Sequence, residues 1–190
     1  MITKFENFTY GDLEKYAKSD LEEELSMYSG WYEFWEEEDD VVKSIVDDAI
    51  EEFKNKVPIF DTIHVQFVKK FDRDRKDIIG MYSHQSVLKT PIIFLSIKNI
   101  YNAMKEYDTS LDITIRTTIF HELGHAIVDV DNSFEFIKNE NILQFNNEEK
   151  YVEDFAFELE MFGRISDPNI LKLAKLFKEG MKSKNLEVID

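Results

Sequence analysis

The sequence predicts an α+β fold: a small mixed or antiparallel sheet set between helical segments. Three observations carry this. Apolar residues recur at helical spacing near both ends of the chain, while the middle alternates or runs continuously apolar. Only 6 glycines and 3 prolines occur in 190 residues, which favours long regular elements over a loop-rich sandwich. A hydrophobic share of 43%, with 16 Phe and 8 Tyr, is enough for a sizeable core and speaks against whole-chain disorder.

Leu13, Tyr16, Ala17, Leu21 and Leu25 form a first helical stripe. Val42, Ile45, Val46, Ala49, Ile50 and Phe53 form a second and stronger one. The aromatic knot Trp31, Tyr32, Phe34 and Trp35 lies between them and is expected to pack this helical extension onto the body. Pro58 then punctuates the chain. Residues 1–56 are therefore expected to be a helical N-terminal extension, and residues 57–190 the main domain.

Ile63, Val65, Phe67, Val68 and Phe71 predict a strand, and residues 72–77 a turn. Ile78, Ile79, Met81 and Tyr82 around Gly80 predict a short second strand, and residues 92–97 a third. The pattern becomes helical from Asn99 through Met104. A longer helix is expected from Leu111 to Val128, with Ser110 or Asp112 as its cap. Residues 149–162 predict another helix, and Asp167-Pro168 starts the last.

Charge and composition narrow the function. A net charge of -16 repels phosphate backbones and anionic lipid, so direct nucleic-acid and membrane binding are not expected. Acidity also serves solubility, and the acidic clusters at 22–24 and 36–40 are expected to be solvated faces. The chain has no cysteine, which removes disulfides, thiolate ligands and a Cys nucleophile. No signal-peptide core and no run of about 18 apolar residues is present, and a cytoplasmic protein is expected.

The chemistry concentrates at His121-Glu122-Leu123-Gly124-His125. Histidines four apart on a helix share one face, so both imidazoles can reach one Zn²⁺ at roughly 2.0–2.1 Å. Glu122 stands beside them as the general base for a water attacking a carbonyl, and can return the proton to a leaving amine. The motif lies in an apolar helical run, where two His and a Glu need a reason. Gly124 costs this helix ~1 kcal/mol relative to Ala, which implies a close approach there.

A catalytic zinc needs a third protein ligand, and with no cysteine to supply a thiolate three acidic candidates remain. They are Asp129, Asp131 and a Glu within residues 148–156. A second helix crossing the first could supply one carboxylate to the metal and another to a ligand histidine. Tyr151, Tyr82 and His84 are the hydrogen-bond donors near the motifs for an oxyanion, and Tyr151 stands as the expected catalytic donor. His64 is expected to be a core or edge residue of the first strand.

These two motifs together, His121-Glu-Leu-Gly-His125 and Glu149-x-x-Val152-Glu153-x-Phe155-Ala156, resemble the gluzincin pattern of the ImmA/IrrE-type metallopeptidases. The likeness covers about residues 60–165. It implies a zincin-like domain with an active-site helix and a third-ligand helix. It also implies Zn²⁺ as cofactor, with His121, His125 and Glu149 as ligands, Glu153 bonded to a ligand histidine and Glu148 as the register alternative. Val152 and Glu153 depart from the usual Ala and Asp. The resemblance further implies that a strand such as 92–97 forms the cleft edge. The expected activity is a zinc metalloendopeptidase, and the expected partner a protein or peptide substrate, with a transcriptional regulator one candidate. Many relatives carry a helix-turn-helix domain; residues 1–56 show none. The competing expectation is a non-catalytic acidic protein on the same scaffold that sequesters a basic or DNA-binding partner. Oligomeric state is left open.

Overall fold

A computed structural model describes residues 40–68, 71, 78–83, 90–133 and 142–186. The stripe before residue 40, the aromatic knot, the turn at 72–77 and His84 lie outside the described residues. The described part is mixed α+β. Its order is α1 (Asp40–Lys56), β1 (His64–Val68), β2 (Gly80–Ser83), β3 (Ile92–Ser96), α2 (Ile97–Tyr107), α3 (Leu111–Ser133), α4 (Glu148–Phe162) and α5 (Pro168–Leu186).

The sheet order is β1-β3-β2, with β3 in the middle, parallel to β1 and antiparallel to β2. All five residues of β3 are buried, as a strand covered on both faces requires. Its alternation splits the apolar interior. Ile93 and Leu95 face the main core with the helices, while Ile92 and Phe94 join Val68 and Phe71 in a smaller cluster. The expectation that strand 92–97 forms the cleft edge is corrected here. Both edges of β3 are already paired, and it is β2, an outer strand of the described sheet, that lines the cleft.

Ser96 explains a boundary that the sequence pattern misplaced. It is the last strand residue and also the N-cap of α2, accepting the Asn99 N–H at 3.4 Å. The helix therefore starts at Ile97, without a linker. Ser110 caps α3 by accepting the Ile113 N–H at 3.2 Å, and Asp112 sits in the first turn. α3 continues past Val128 to Ser133, so Asp129 and Asp131 are both helical.

α1 lays Val42, Val46, Ala49 and Phe53 into the same core as α3, α4 and α5. Residues 40–56, the end of the expected extension, thus share the interior of the main domain. Arg116 of α3 joins the helices, donating to Glu52 of α1 and, at 2.9 Å, to Glu160 of α4. Burial disfavours the charge of Arg116, but its two carboxylate partners outweigh this and hold its pKa above the ordinary value. Among the described residues, no helix is long and apolar enough to cross a membrane.

Candidate metal centre

Two helices and one strand edge meet at a cleft of about 650 Å³. α3 supplies His121, Glu122, His125, Val128, Asp129 and Asn132; α4 supplies Glu148 and Glu149; Ile78 and the Gly80-Met81-Tyr82 stretch form the opposite wall.

Local sequence explains how α4 presents its acids. Asn147 caps the helix by accepting the Lys150 N–H at 3.0 Å, so Glu148 and Glu149 occupy the first turn. Carboxylates are favoured there because the helix N-terminus carries partial positive charge. Gly124 sets how close α4 comes. A Cβ at that position would stand 2.9 Å from Val152 Cβ, 3.0 Å from its Cγ1 and 3.3 Å from Phe155 Cδ1. The close approach implied by a glycine inside this helix is thus the α3–α4 crossing itself.

That crossing gathers His121, His125 and Glu149, whose candidate ligand atoms all lie within 4.8 Å of one another. The two Nε2 atoms are 3.3 Å apart, and Glu149 oxygens stand 3.6 Å from each. Bonds of roughly 2.0–2.1 Å to a tetrahedral ion place neighbouring donors about 3.3 Å apart. Two imidazoles and one carboxylate at these separations fit a divalent metal ion. Burial, and then the neighbouring His125, lower the pKa of His121, which favours the neutral form a metal ligand needs.

His125 Nδ1 lies 2.8 Å from Glu148 Oε1. With Nδ1–H donating to that carboxylate, Nε2 is left as the lone-pair side facing the cluster. Glu148 therefore takes the orienting role expected of Glu153. Glu153 is exposed and reaches His121 only through its charge. The other acidic candidates are engaged elsewhere: Asp129 Oδ2 accepts the Tyr82 hydroxyl at 2.8 Å, and the buried Asp131 Oδ2 accepts the Leu143 N–H at 3.1 Å.

Glu122 is buried, with 8% of its surface exposed. Its Oε2 accepts the backbone N–H of Tyr82 at 2.7 Å. Burial pushes its pKa up to about 7, against the lowering effects of the Tyr82 N–H and His125. A carboxyl poised there can both take and return a proton near neutral pH. Gly80 makes this contact possible, since a Cβ on it would collide with Thr118 Cγ2 and stand 3.2 Å from Glu122 Cγ and Oε1.

Tyr151 does not join this cleft. Its ring stacks on Phe145 with centroids 5.1 Å apart, and its hydroxyl donates to Asp167 Oδ2 at 3.0 Å. Burial, and then Asp167, hold the phenol well above its ordinary pKa. Two residues beyond Glu149 the helix has turned by about 200°, so the two side chains diverge. The expectation of Tyr151 as catalytic donor is corrected accordingly. Sequence reasoning also missed the Tyr82 N–H to Glu122 contact; Gly80 among apolar neighbours was the signal that the strand approaches something closely.

No family model, curated protein or solved structure matches the chain.

Proposed function

We propose that this chain is a zinc-dependent endopeptidase of the gluzincin kind, similar to the ImmA/IrrE-type enzymes, that cuts a peptide bond in a protein partner. The observation that carries the reading is the convergence of His121, His125 and Glu149 in a cleft where Glu122 is buried beside them. His121, His125 and Glu149 would hold the ion, and Glu148 would orient His125 through Nδ1. Zinc supplies Lewis acidity to a carbonyl and to a water when it is bound.

Everything else is work for the chain's own groups. Glu122 keeps Oε2 on the Tyr82 N–H and has Oε1 to receive the proton of an attacking water. The carboxyl, once protonated, delivers that proton to the departing amine. Gly80 and Tyr82 hold the base in place from the strand side.

The test is metal analysis combined with Glu122→Gln. Purified protein should carry about one zinc per chain, and Glu122→Gln should keep it. Hydrolysis should fall by roughly 10²–10⁴-fold, the range for loss of a general base. A folded protein that takes up no zinc overturns the reading. So does a Glu122→Gln protein that hydrolyses at the original rate.

A further inference from the structure

α4 has two apolar faces. Val152, Phe155, Ala156 and Leu159 are buried against the core. On the outer side Phe157, Met161 and Phe162 stay exposed, at 56%, 58% and 57%. Two residues turn a helix by about 200°, so Phe157 and Met161, two either side of Leu159, both point away from the core. The rings of Phe157 and Phe162 meet edge to face with centroids 5.9 Å apart, which makes the patch continuous. Three bulky side chains half in water expose on the order of 300 Å² of apolar surface, an extent that marks interaction sites.

Charged residues flank this patch in an order that selects its occupant. Lys150, Asp154, Phe157, Met161 and Arg164 follow one another at steps of four, three, four and three, the spacing of a seam between two helices. Asp154 precedes the patch and pairs with Lys150 at 3.1 Å on the surface. Arg164 follows it, with its guanidinium 5.2 Å from the centroid of the Phe162 ring.

The stripe is complementary to itself. Phe157 and Met161 lie two residues before and after Leu159, and Asp154 and Arg164 five before and after. A second α4 laid antiparallel, with the two-fold axis beside Leu159, therefore brings Phe157 level with Met161 of the other copy and Asp154 level with its Arg164. Every contact then occurs twice. The long Arg164 side chain can reach that carboxylate, and the exposed Lys150 pair that it replaces is worth little. A parallel pair would set Asp154 on Asp154 and Arg164 on Arg164. A partner of one charge would satisfy one end and be repelled at the other, whereas a second copy answers both. The net charge of -16 weakens such pairing at low salt, and screening beyond about 8 Å relieves it at physiological ionic strength.

We propose that the outer face of α4 is a homodimer interface, in which two copies pair antiparallel through Phe157 and Met161, with Asp154 of each against Arg164 of the other. This stands apart from the peptidase reading, since none of these residues lines the metal cleft.

The test is sedimentation equilibrium of the full chain at physiological salt. A monomer–dimer equilibrium is expected, with a Kd on the order of 10 μM, in keeping with a small interface. Met161→Glu should weaken it about tenfold or more while leaving the melting temperature of the monomer as it is. Asp154→Arg and Arg164→Asp should each weaken it too, because each sets like charges across the two-fold axis. Mixed in equal amounts, these two variants should associate again, since every pair across the interface is then opposite in sign. Indiscriminate apolar association would not show that rescue. A chain that stays monomeric up to about 200 μM overturns the proposal and leaves the face to another protein or to residues 1–39 of the same chain. A dimer that Met161→Glu leaves intact, or charge variants whose mixture stays monomeric, overturns it as well.

Discussion

The two walls of the cleft are held by different forces. On the helical side, α3 and α4 touch through Gly124, Val152 and Phe155, all apolar and buried apart from the glycine's missing side chain. On the strand side, β2 packs on the core beside α3 and is tied to it by two polar bonds as well. Tyr82 donates its N–H to Glu122 and its hydroxyl to Asp129. Packing brings together the two helices that carry His121, His125 and Glu149, whereas a hydrogen bond from the strand holds Glu122. Damage to one wall should therefore show first in stability and metal affinity, and damage to the other in catalysis or recognition.

The largest expected effect comes from Gly124→Val. Overpacking against Val152 should cost about 3 kcal/mol, read as a lower midpoint in denaturant titration. Val152→Ala in the same chain should recover much of the loss, because it vacates the volume the new side chain needs. A double mutant no more stable than Gly124→Val would show that the crossing is not limited at this contact.

Next in size is Glu148→Gln. Loss of the carboxylate on His125 Nδ1 should weaken zinc binding roughly 10–100-fold in a competitive chelator titration, with little change in the apo-protein's melting. An unchanged affinity would move the orienting role away from Glu148. Tyr82→Phe belongs to the strand wall and should be smaller. It removes one hydrogen bond worth about 1 kcal/mol, and zinc affinity should stay as it is. A clear drop in zinc affinity would break the division between the walls.

The smallest effect lies on the far edge of the sheet. His64 of β1 has a buried Nε2 without a hydrogen-bond partner. Burial lowers its pKa below the ordinary 6.5, with Gln66 opposing. The sign follows from linkage. Above pH 6.5 both folded and unfolded states hold a neutral ring, so nothing is lost there. As pH falls through that value the unfolded chain takes up a proton that the folded chain resists, and stability declines. His64→Leu should flatten the fall in melting temperature between roughly pH 7.5 and 5.5. An identical slope in both proteins would assign the acid sensitivity elsewhere.

How much of this could be read beforehand follows from what periodicity encodes. A repeat of about four residues put His121 and His125 on one face, and the glycine between them pointed to a close approach, which the structure shows to be the α3–α4 contact. The three strands were visible as apolar runs bounded by turn signals. Their order was not, because β1 and β3 pair in parallel across residues whose patterns say nothing about neighbours. The choice between Glu148 and Glu153 was equally hidden. Both flank Glu149 on the helix, and only the crossing geometry of two helices decides which one meets His125. Tyr151 was misplaced because nearness in sequence to Glu149 is not nearness in space; half a turn separated them. Val128 was read as helical rather than as a turn, and α3 does run on through it.

The bond from Tyr82 N–H to Glu122 has a consequence outside chemistry. β2 is an outer strand of the described sheet, and the outer edge of a sheet can template pairing with another chain. Here the Glu122 side chain of α3 takes the Tyr82 N–H on that edge. Glu122, the proposed base, would thus also guard the strand against self-association. Glutamine preserves that guard, since its carbonyl oxygen still accepts the N–H. Alanine removes it, so a Glu122→Ala protein would lose activity and solubility together, and only the glutamine form isolates the first.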